Sequence, residues 1–390
     1  MKGRKKLEHL INQRVKSIEI SGIRKFFNMV AHIDDLISFT IGQPDFPTPE
    51  HVKQAGIAAI EKDYTSYTHN AGTLELRKAA SDFVKKKYGL DYTPDSEVIV
   101  TMGASEAIDI TFRTILAEGS EVLLPGPIYP GYEPIIRMMG AVPVHVDIRE
   151  NQFRFTVEMI KPYITDQTRC IVLPYPSNPT GVSLSEEELR EIADFLKDKE
   201  IFILADEIYS ELTFDQKHTS IASFLKEKTI VINGLSKSHS MTGWRIGFLF
   251  APENITKHIL KVHQYNVSCA NSIAQKAAYE ALTAGIDDAL AMKKEYTKRR
   301  EYVNNRLTSM GLQIVKPDGA FYFFVKIPES IPLNSFDFAL RLVNEAKVAV
   351  VPGSAFSEYG EGYFRLSFSC SMESLEIGLN RMDQYLKTWS

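Results

Sequence analysis

Cysteine is scarce in this chain. Three residues in 390, Cys170, Cys269 and Cys370, lie about a hundred positions apart. That spacing makes neither a metal-ligand pattern nor a disulfide framework, and an odd count suits a reducing compartment. Long apolar runs are missing as well. There is no stretch of ~18 uncharged apolar residues of the kind that spans a membrane, and the basic start "MKGRKKLEHLINQR" lacks the apolar segment of a signal peptide. Excess positive charge is absent: the formal net charge is −4 and the basic residues are scattered, so no nucleic-acid or membrane footprint is visible. No strand is followed by G-x-G-x-x-G, which argues against a nicotinamide cofactor. Internal repeats and low-complexity tracts are also lacking. The expectation is a cytoplasmic protein that handles small molecules, without nucleic acid, membrane or metal.

What the chain does have is enough apolar material, 44 % of 390 residues, for a core too large for one simple domain. Between about residues 97 and 251 short apolar runs recur: "EVIVT", "EVLLP", "VPVHV", "CIVLP", "IFILAD", "TIVIN" and "IGFLFA". Several are near-continuous rather than alternating, as in strands buried on both faces of a mostly parallel sheet. Helical segments separate many of them. "SEAIDITFRTIL" spaces Ile108, Phe112 and Ile115 on one face, and "SEEELREIADFLKD" opens with a capping pattern at Ser185. The predicted fold is α/β, a sheet of about seven strands sandwiched by helices. Residues 46–284 form this large domain. After it, a charged helix over about 285–310 opens a smaller α+β domain spanning 285–390, with short strands at "QIVKP", "AFYFFVKI", "VAVVPG" and "YFRLSFS" and helices near 335–346 and at the end. Residues 1–45 are expected to pack with the small domain.

Ligands of doubly wound sheets sit beyond the carboxyl ends of the strands. Here the strand ends carry different groups: Gly103-Ala104-Ser105 opening a helix, Tyr129 on a loop, Asn178 within "SNPTG", Asp206 with Tyr209, and Lys237 within "NGLSKSHSMTGWRIG". Each has an ordinary reading. Asn178 makes turns, Asp206 caps a helix, Tyr129 packs, and loop lysines are usually solvated. Five strand ends converging on one edge are harder to explain that way. Small residues at a helix start offer free N–H groups to a phosphate. A lysine in such a crevice, near Arg245, loses part of its affinity for a proton and becomes a nucleophile toward an aldehyde. A carboxylate at the end of a strand keeps a pyridine nitrogen protonated. The implied cofactor is pyridoxal 5′-phosphate.

The stretch from Gly234 to Gly247 resembles the lysine signature of the class I/II pyridoxal-phosphate aminotransferases of fold type I. "SNPTG" at 177–181, "DEIY" at 206–209, "FRLSFS" at 364–369, "IGQPDFPTP" at 41–49 and "SYTHNAGTLELRKA" at 66–79 are similar to that family's other blocks, in order, over nearly the whole chain. Gly234 stands where some members carry a serine. The resemblance implies an aminotransferase working between an L-amino acid and 2-oxoglutarate by ping-pong chemistry, as a homodimer with shared active sites. It assigns Lys237 the covalent link to the cofactor, Asp206 the ring nitrogen, Tyr209 and Asn178 the phenolic oxygen, and Tyr129 the ring face. Ala104, Ser105, Ser236 and Arg245 would hold the phosphate, with Tyr67 reaching the phosphate of the other subunit. Arg365, Asn178 and the backbone of Gly42 would bind the substrate α-carboxylate. Within the family the chain is most similar to the Gram-positive N-acetyl-LL-diaminopimelate aminotransferases of lysine biosynthesis, through "PYPSNPTGVSLSEEEL", "DEIYSEL" and "HILKVHQYNVSCA". A general aspartate or aromatic aminotransferase and, further off, a carbon–sulfur lyase on the same scaffold are the rival readings.

Overall fold

A computed structural model of the chain describes residues 7–30 and 32–389. Its centre is one seven-stranded sheet. In chain order the strands are β1 (Val98–Thr101), β2 (Glu121–Gly126), β3 (Val142–Asp147), β4 (Thr168–Leu173), β5 (Phe202–Asp206), β6 (Thr229–Gly234) and β7 (Gly247–Phe250). They lie side by side as β1-β7-β6-β5-β4-β2-β3. Only β7 runs against its neighbours; the other pairings are parallel. All seven correspond to apolar runs in the sequence.

The near-continuous apolar character has a direct cause. Along β4, Cys170 and Val172 enter one core, whereas Ile171 and Leu173 enter another on the opposite face. Along β6, Ile230 and Ile232 face one way and Val231 the other. Side chains alternate across a strand, so a strand covered on both faces must be apolar at every position. Helix Ala104–Ile115 covers one face with Ile108 and Phe112; helix Glu186–Leu196 covers the other with Leu189, Ile192 and Leu196. The second of these begins with the expected capping box. Ser185 Oγ accepts from the Glu188 N–H at 3.2 Å, and Glu188 Oε2 accepts from the Ser185 N–H at 2.7 Å. Such a cap contributes about 1 kcal/mol.

A third core gathers the C-terminal elements. Strands β8 (Tyr322–Lys326), β9 (Val351–Pro352) and β10 (Tyr363–Ser367) form an antiparallel sheet in the order β9-β10-β8. Helices Ser335–Ala346 and Met372–Lys387 pack on it through Phe338, Leu342, Leu375 and Leu379. Phe26, Val30 and Phe39 from the N-terminal part join this core, and Ile37–Ser38 pairs in parallel with Val348–Ala349. Farther upstream, Arg14 reaches instead toward Glu118, beside the large sheet, at 3.0 Å.

Two details differ from the sequence reading. "QIVKP" contributes only an isolated bridge, Ile314 with Val325, rather than a strand. "VAVVPG" splits: Val348–Ala349 pairs with the N-terminal segment and Val351–Pro352 with β10. Among the described residues, no helix is long and apolar enough to cross a membrane.

Candidate active site

The carboxyl ends of β1, β2, β4, β5 and β6 open on one cavity of about 710 Å³. Because β7 is antiparallel to both neighbours, its first residue, Gly247, lies opposite Thr101 at the end of β1 and Gly234 at the end of β6. Arg245, two residues earlier, therefore reaches the same edge as the lysine loop. Gly42, Ala104, Ser105, Tyr129, Asn178, Asp206, Tyr209, Ser236, Lys237, Arg245 and Arg365 all line the cavity. Tyr67 does not. It is 88 % exposed, on the segment that precedes helix Leu74–Tyr88.

Lys237 sits in the short helix Leu235–Ser238 directly after β6. Its Nζ donates to the Gly42 carbonyl at 2.6 Å and lies 5.6 Å from the Tyr209 ring centre. Burial, followed by the charges of Arg365 and Arg245, brings its pKa from 10.5 down to about 8, against the pull of Asp206. At pH 7 about one such amine in ten is neutral, against fewer than ~1 in 1,000 for an ordinary lysine. Arg245 was the cation expected from sequence; Arg365, distant in the chain, is the larger influence.

Asp206 ends β5 and is buried. Its Oδ2 accepts from the Tyr132 hydroxyl at 2.6 Å and its Oδ1 from the Ile208 N–H at 3.2 Å. Burial raises its pKa, and these hydrogen bonds and Lys237 oppose the rise. Among the described residues no cation lies within ion-pair distance of it.

Arg365 projects from β10 and is only 2 % exposed. Nη1 donates to Asn178 Oδ1 at 2.9 Å, Nη2 donates to the Thr40 carbonyl at 2.8 Å, and the guanidinium lies 4.3 Å from the Tyr322 ring centre. Its Nε is buried, with no hydrogen-bond partner among the described residues. A buried guanidinium held only by neutral acceptors is a cation prepared for an anion. The Asn178 oxygen accepts from Arg365, so its amide N–H groups are what it has left to offer a ligand in the cavity it lines. The Tyr209 hydroxyl is 2.8 Å from that of Tyr322, and burial holds it well above the usual phenol range.

Close backbone packing brings the loop at the end of β1 against Arg245. Gly103 has φ +78°, and a Cβ there would meet Arg245 Nη2 at 2.6 Å; a Cβ on Gly247 would meet the Ala104 nitrogen at 2.8 Å. Only glycine lets these pieces approach so closely. Sequence reasoning missed Tyr132, Tyr322 and the Thr40 carbonyl. Tyr132 did leave a sign, as a second aromatic three positions after Tyr129. Nothing local marks Tyr322.

The family model for aminotransferase class I and II matches residues 34–382. A probable N-acetyl-LL-diaminopimelate aminotransferase of Bacillus subtilis is 62 % identical over 380 residues, covering 97 % of this chain and 96 % of that one. Aromatic-amino-acid aminotransferase 2 of Thermococcus litoralis is 41 % identical, with coverage of 97 % and 98 %. The crystal structure of an aromatic aminotransferase from Pyrococcus horikoshii superposes with a TM-score of 0.88 at 40 % identity, over 94 % of this chain and 99 % of that one. With matches of this extent, the chain belongs to the class I and II aminotransferases, fold type I enzymes that use pyridoxal 5′-phosphate to move an amino group between an amino acid and a 2-oxo acid.

Proposed function

We propose that this aminotransferase takes N-acetyl-LL-diaminopimelate and 2-oxoglutarate as its substrate pair, with Lys237, Asp206, Tyr209, Asn178 and Arg365 as the residues that carry the reaction. The cavity fits the cofactor on three counts. Among the described residues Asp206 is a buried carboxyl with no cation within ion-pair distance, a charge that a protonated ring nitrogen would supply. The loop Gly103–Ser105 leads into helix Ala104–Ile115 against the Arg245 guanidinium, a helix start with a cation for a phosphate. Lys237 is a lysine of lowered pKa in the same cavity.

Bound pyridoxal 5′-phosphate supplies the electron sink that stabilises a carbanion at the substrate α-carbon. The protein does the rest. Arg365 grips the α-carboxylate through parallel hydrogen bonds, with the Gly42 backbone alongside. This fixes the α-hydrogen within reach of Lys237 Nζ, whose lowered pKa suits it to take that proton and return it. Asp206, steadied by Tyr132, would hold a proton on the ring nitrogen. Tyr209 and the Asn178 amide would donate toward the phenolic oxygen, and Tyr129 would cover the ring face. Ala104, Ser105, Ser236 and Arg245 would hold the phosphate. We further infer a homodimer in which Tyr67, exposed and outside its own cavity, reaches the partner's phosphate, and a cytoplasmic location, in keeping with three free cysteines.

The substrate reading rests on the 62 % identity to the Bacillus subtilis relative. The outer cavity agrees with it. Arg24 and Phe27 of helix Gly22–Val30 line it, and among the described residues no carboxylate is within ion-pair distance of Arg24. A distal carboxylate on the substrate would meet that cation. The test is a panel of amino donors mixed with loaded enzyme, followed by the spectral change of the cofactor. The acetylated diacid is expected to give the highest kcat/KM, and Arg24→Ala to raise KM for it but not for alanine. Aspartate or phenylalanine outrunning it by about tenfold, a difference of ~1.4 kcal/mol, would replace this substrate with one of the rival aminotransferase substrates.

A further inference from the structure

Behind the loop at the end of β1 lies a buried pair that the reaction does not use. Glu106, in the first turn of helix Ala104–Ile115, is 8 % exposed, and His263, on helix Glu253–Val267, is fully buried. His263 Nδ1 is 2.8 Å from Glu106 Oε1, although the two residues are 157 positions apart in sequence. His263 Nε2 is 2.9 Å from the Asn70 carbonyl. The second carboxyl oxygen, Glu106 Oε2, accepts from the Met102 N–H at 2.6 Å. A carbonyl oxygen cannot donate, so Nε2 carries a proton. One further proton is shared between Nδ1 and Oε1. Whichever atom holds it, the pair has no net charge.

Its location gives the pair a task. Met102 is the residue before Gly103, and the loop that follows, through Ala104 and Ser105, lines the cavity beside Arg245. Glu106 therefore ties down the entry of that loop through the Met102 N–H. A lone carboxylate in the first helical turn would also repel a phosphate brought to the same helix end. His263 removes that repulsion through Glu106 Oε1 while Glu106 Oε2 still accepts from the Met102 N–H. On its far side His263 holds Asn70, whose amide donates to the Ser268 carbonyl at 2.7 Å, and Asn70 lies three residues from Tyr67. The same pair thus joins the segment carrying Tyr67 to the loop at the neighbouring strand end.

We propose that Glu106 and His263 are a positioning pair for the phosphate-binding loop: Glu106 fixes its backbone, and His263 neutralises Glu106 so that a doubly charged phosphate is accepted there. This rests on the cofactor reading given above. Neither residue touches the reacting atoms, so the effect belongs in cofactor affinity, and selectively in the affinity for the phosphorylated form.

The test compares equilibrium binding of pyridoxal 5′-phosphate and of pyridoxal to apoenzyme carrying His263→Gln, Glu106→Gln, or both. In His263→Gln the new amide would still donate one hydrogen bond but would leave Glu106 charged. This variant is expected to weaken pyridoxal 5′-phosphate by about tenfold or more while changing pyridoxal by less than about twofold. Adding Glu106→Gln, which removes the charge and keeps an acceptor for Met102, is expected to recover most of the loss. Equal weakening of both ligands, or a double variant no better than His263→Gln alone, would overturn the proposal and leave the pair a packing feature. If His263→Gln does not fold, Glu106→Ala carries the test: freeing the Met102 N–H must cost pyridoxal 5′-phosphate more than pyridoxal, and an equal cost overturns the positioning role. A wild-type apoenzyme with no preference for the phosphorylated form removes the cofactor site itself, a separate outcome from either of these.

Discussion

Replacing Arg365 with lysine isolates the grip on the α-carboxylate. The charge is kept and the fork is lost. Arg365 is buried, its Nη1 and Nη2 are shared with Asn178 Oδ1 and the Thr40 carbonyl, and its Nε has no partner among the described residues. Bound substrate therefore meets a guanidinium whose plane is already fixed by two hydrogen bonds and by the Tyr322 ring at 4.3 Å. A carboxylate accepts two parallel hydrogen bonds from such a plane, and an ammonium offers no matching fork. Losing one charge-assisted hydrogen bond costs about 1.5–3 kcal/mol. That predicts a fall in kcat/KM of roughly 10- to 150-fold. The assay is steady-state kinetics with several amino acids and oxo acids, and with an amine that lacks the carboxylate. The loss should be similar for every α-carboxylate substrate and much smaller for the amine, with the cofactor absorption unchanged. Unaltered kcat/KM for amino acids, or a defect confined to one donor, would refute this reasoning.

Three other outcomes follow from the same geometry. Asp206→Ala should still take up cofactor, at a cost of about 1.5–3 kcal/mol for one charged hydrogen bond, yet lose far more in turnover, because electron withdrawal matters most in the transition state; near-normal turnover would remove Asp206 from its role. The rate at which apoenzyme takes up pyridoxal 5′-phosphate depends on the neutral form of Lys237, so it should rise with pH and level off above about 8. Arg365→Gln removes a cation that disfavours the protonated lysine, so its midpoint should move to higher pH, and Asp206→Asn should move it lower; stopped-flow absorbance over a pH series decides. Mixing Lys237→Ala protein with a Tyr67-substituted protein should restore activity in hybrid dimers, and an active monomer in sedimentation would exclude the shared site.

The large sheet was readable because six of its seven strands are buried at nearly every position, so their apolar runs need no partner to be recognised; only β3, at the sheet edge, is partly open. The C-terminal elements were less so. Val348 to Pro352 reads as one strand, and only long-range pairing divides it between Ile37–Ser38 and β10. The candidate site was legible where a residue ends a strand or follows it within a few positions, as Asp206 and Lys237 do. It was illegible where the contact depends on tertiary aim. Tyr322 lies on a strand whose residues fill the core of the C-terminal elements, yet its hydroxyl meets Tyr209 and its ring meets Arg365. Local sequence carries no signal for that, just as nothing near Glu106 announces His263. Arg365, Ser367 and Ser369 alternate with Phe364, Leu366 and Phe368, a pattern that by itself would suit a solvent-facing side, yet all three polar residues are buried.

Lys237 as the one lysine that bonds to the cofactor is the centre of this account. Reducing the loaded enzyme with borohydride and mapping its peptides by mass spectrometry tests that most directly. The expected result is a pyridoxyl group on Lys237 alone, with the visible absorption band absent in Lys237→Ala. A pyridoxyl group on any other lysine, or an unchanged band in Lys237→Ala, would contradict it.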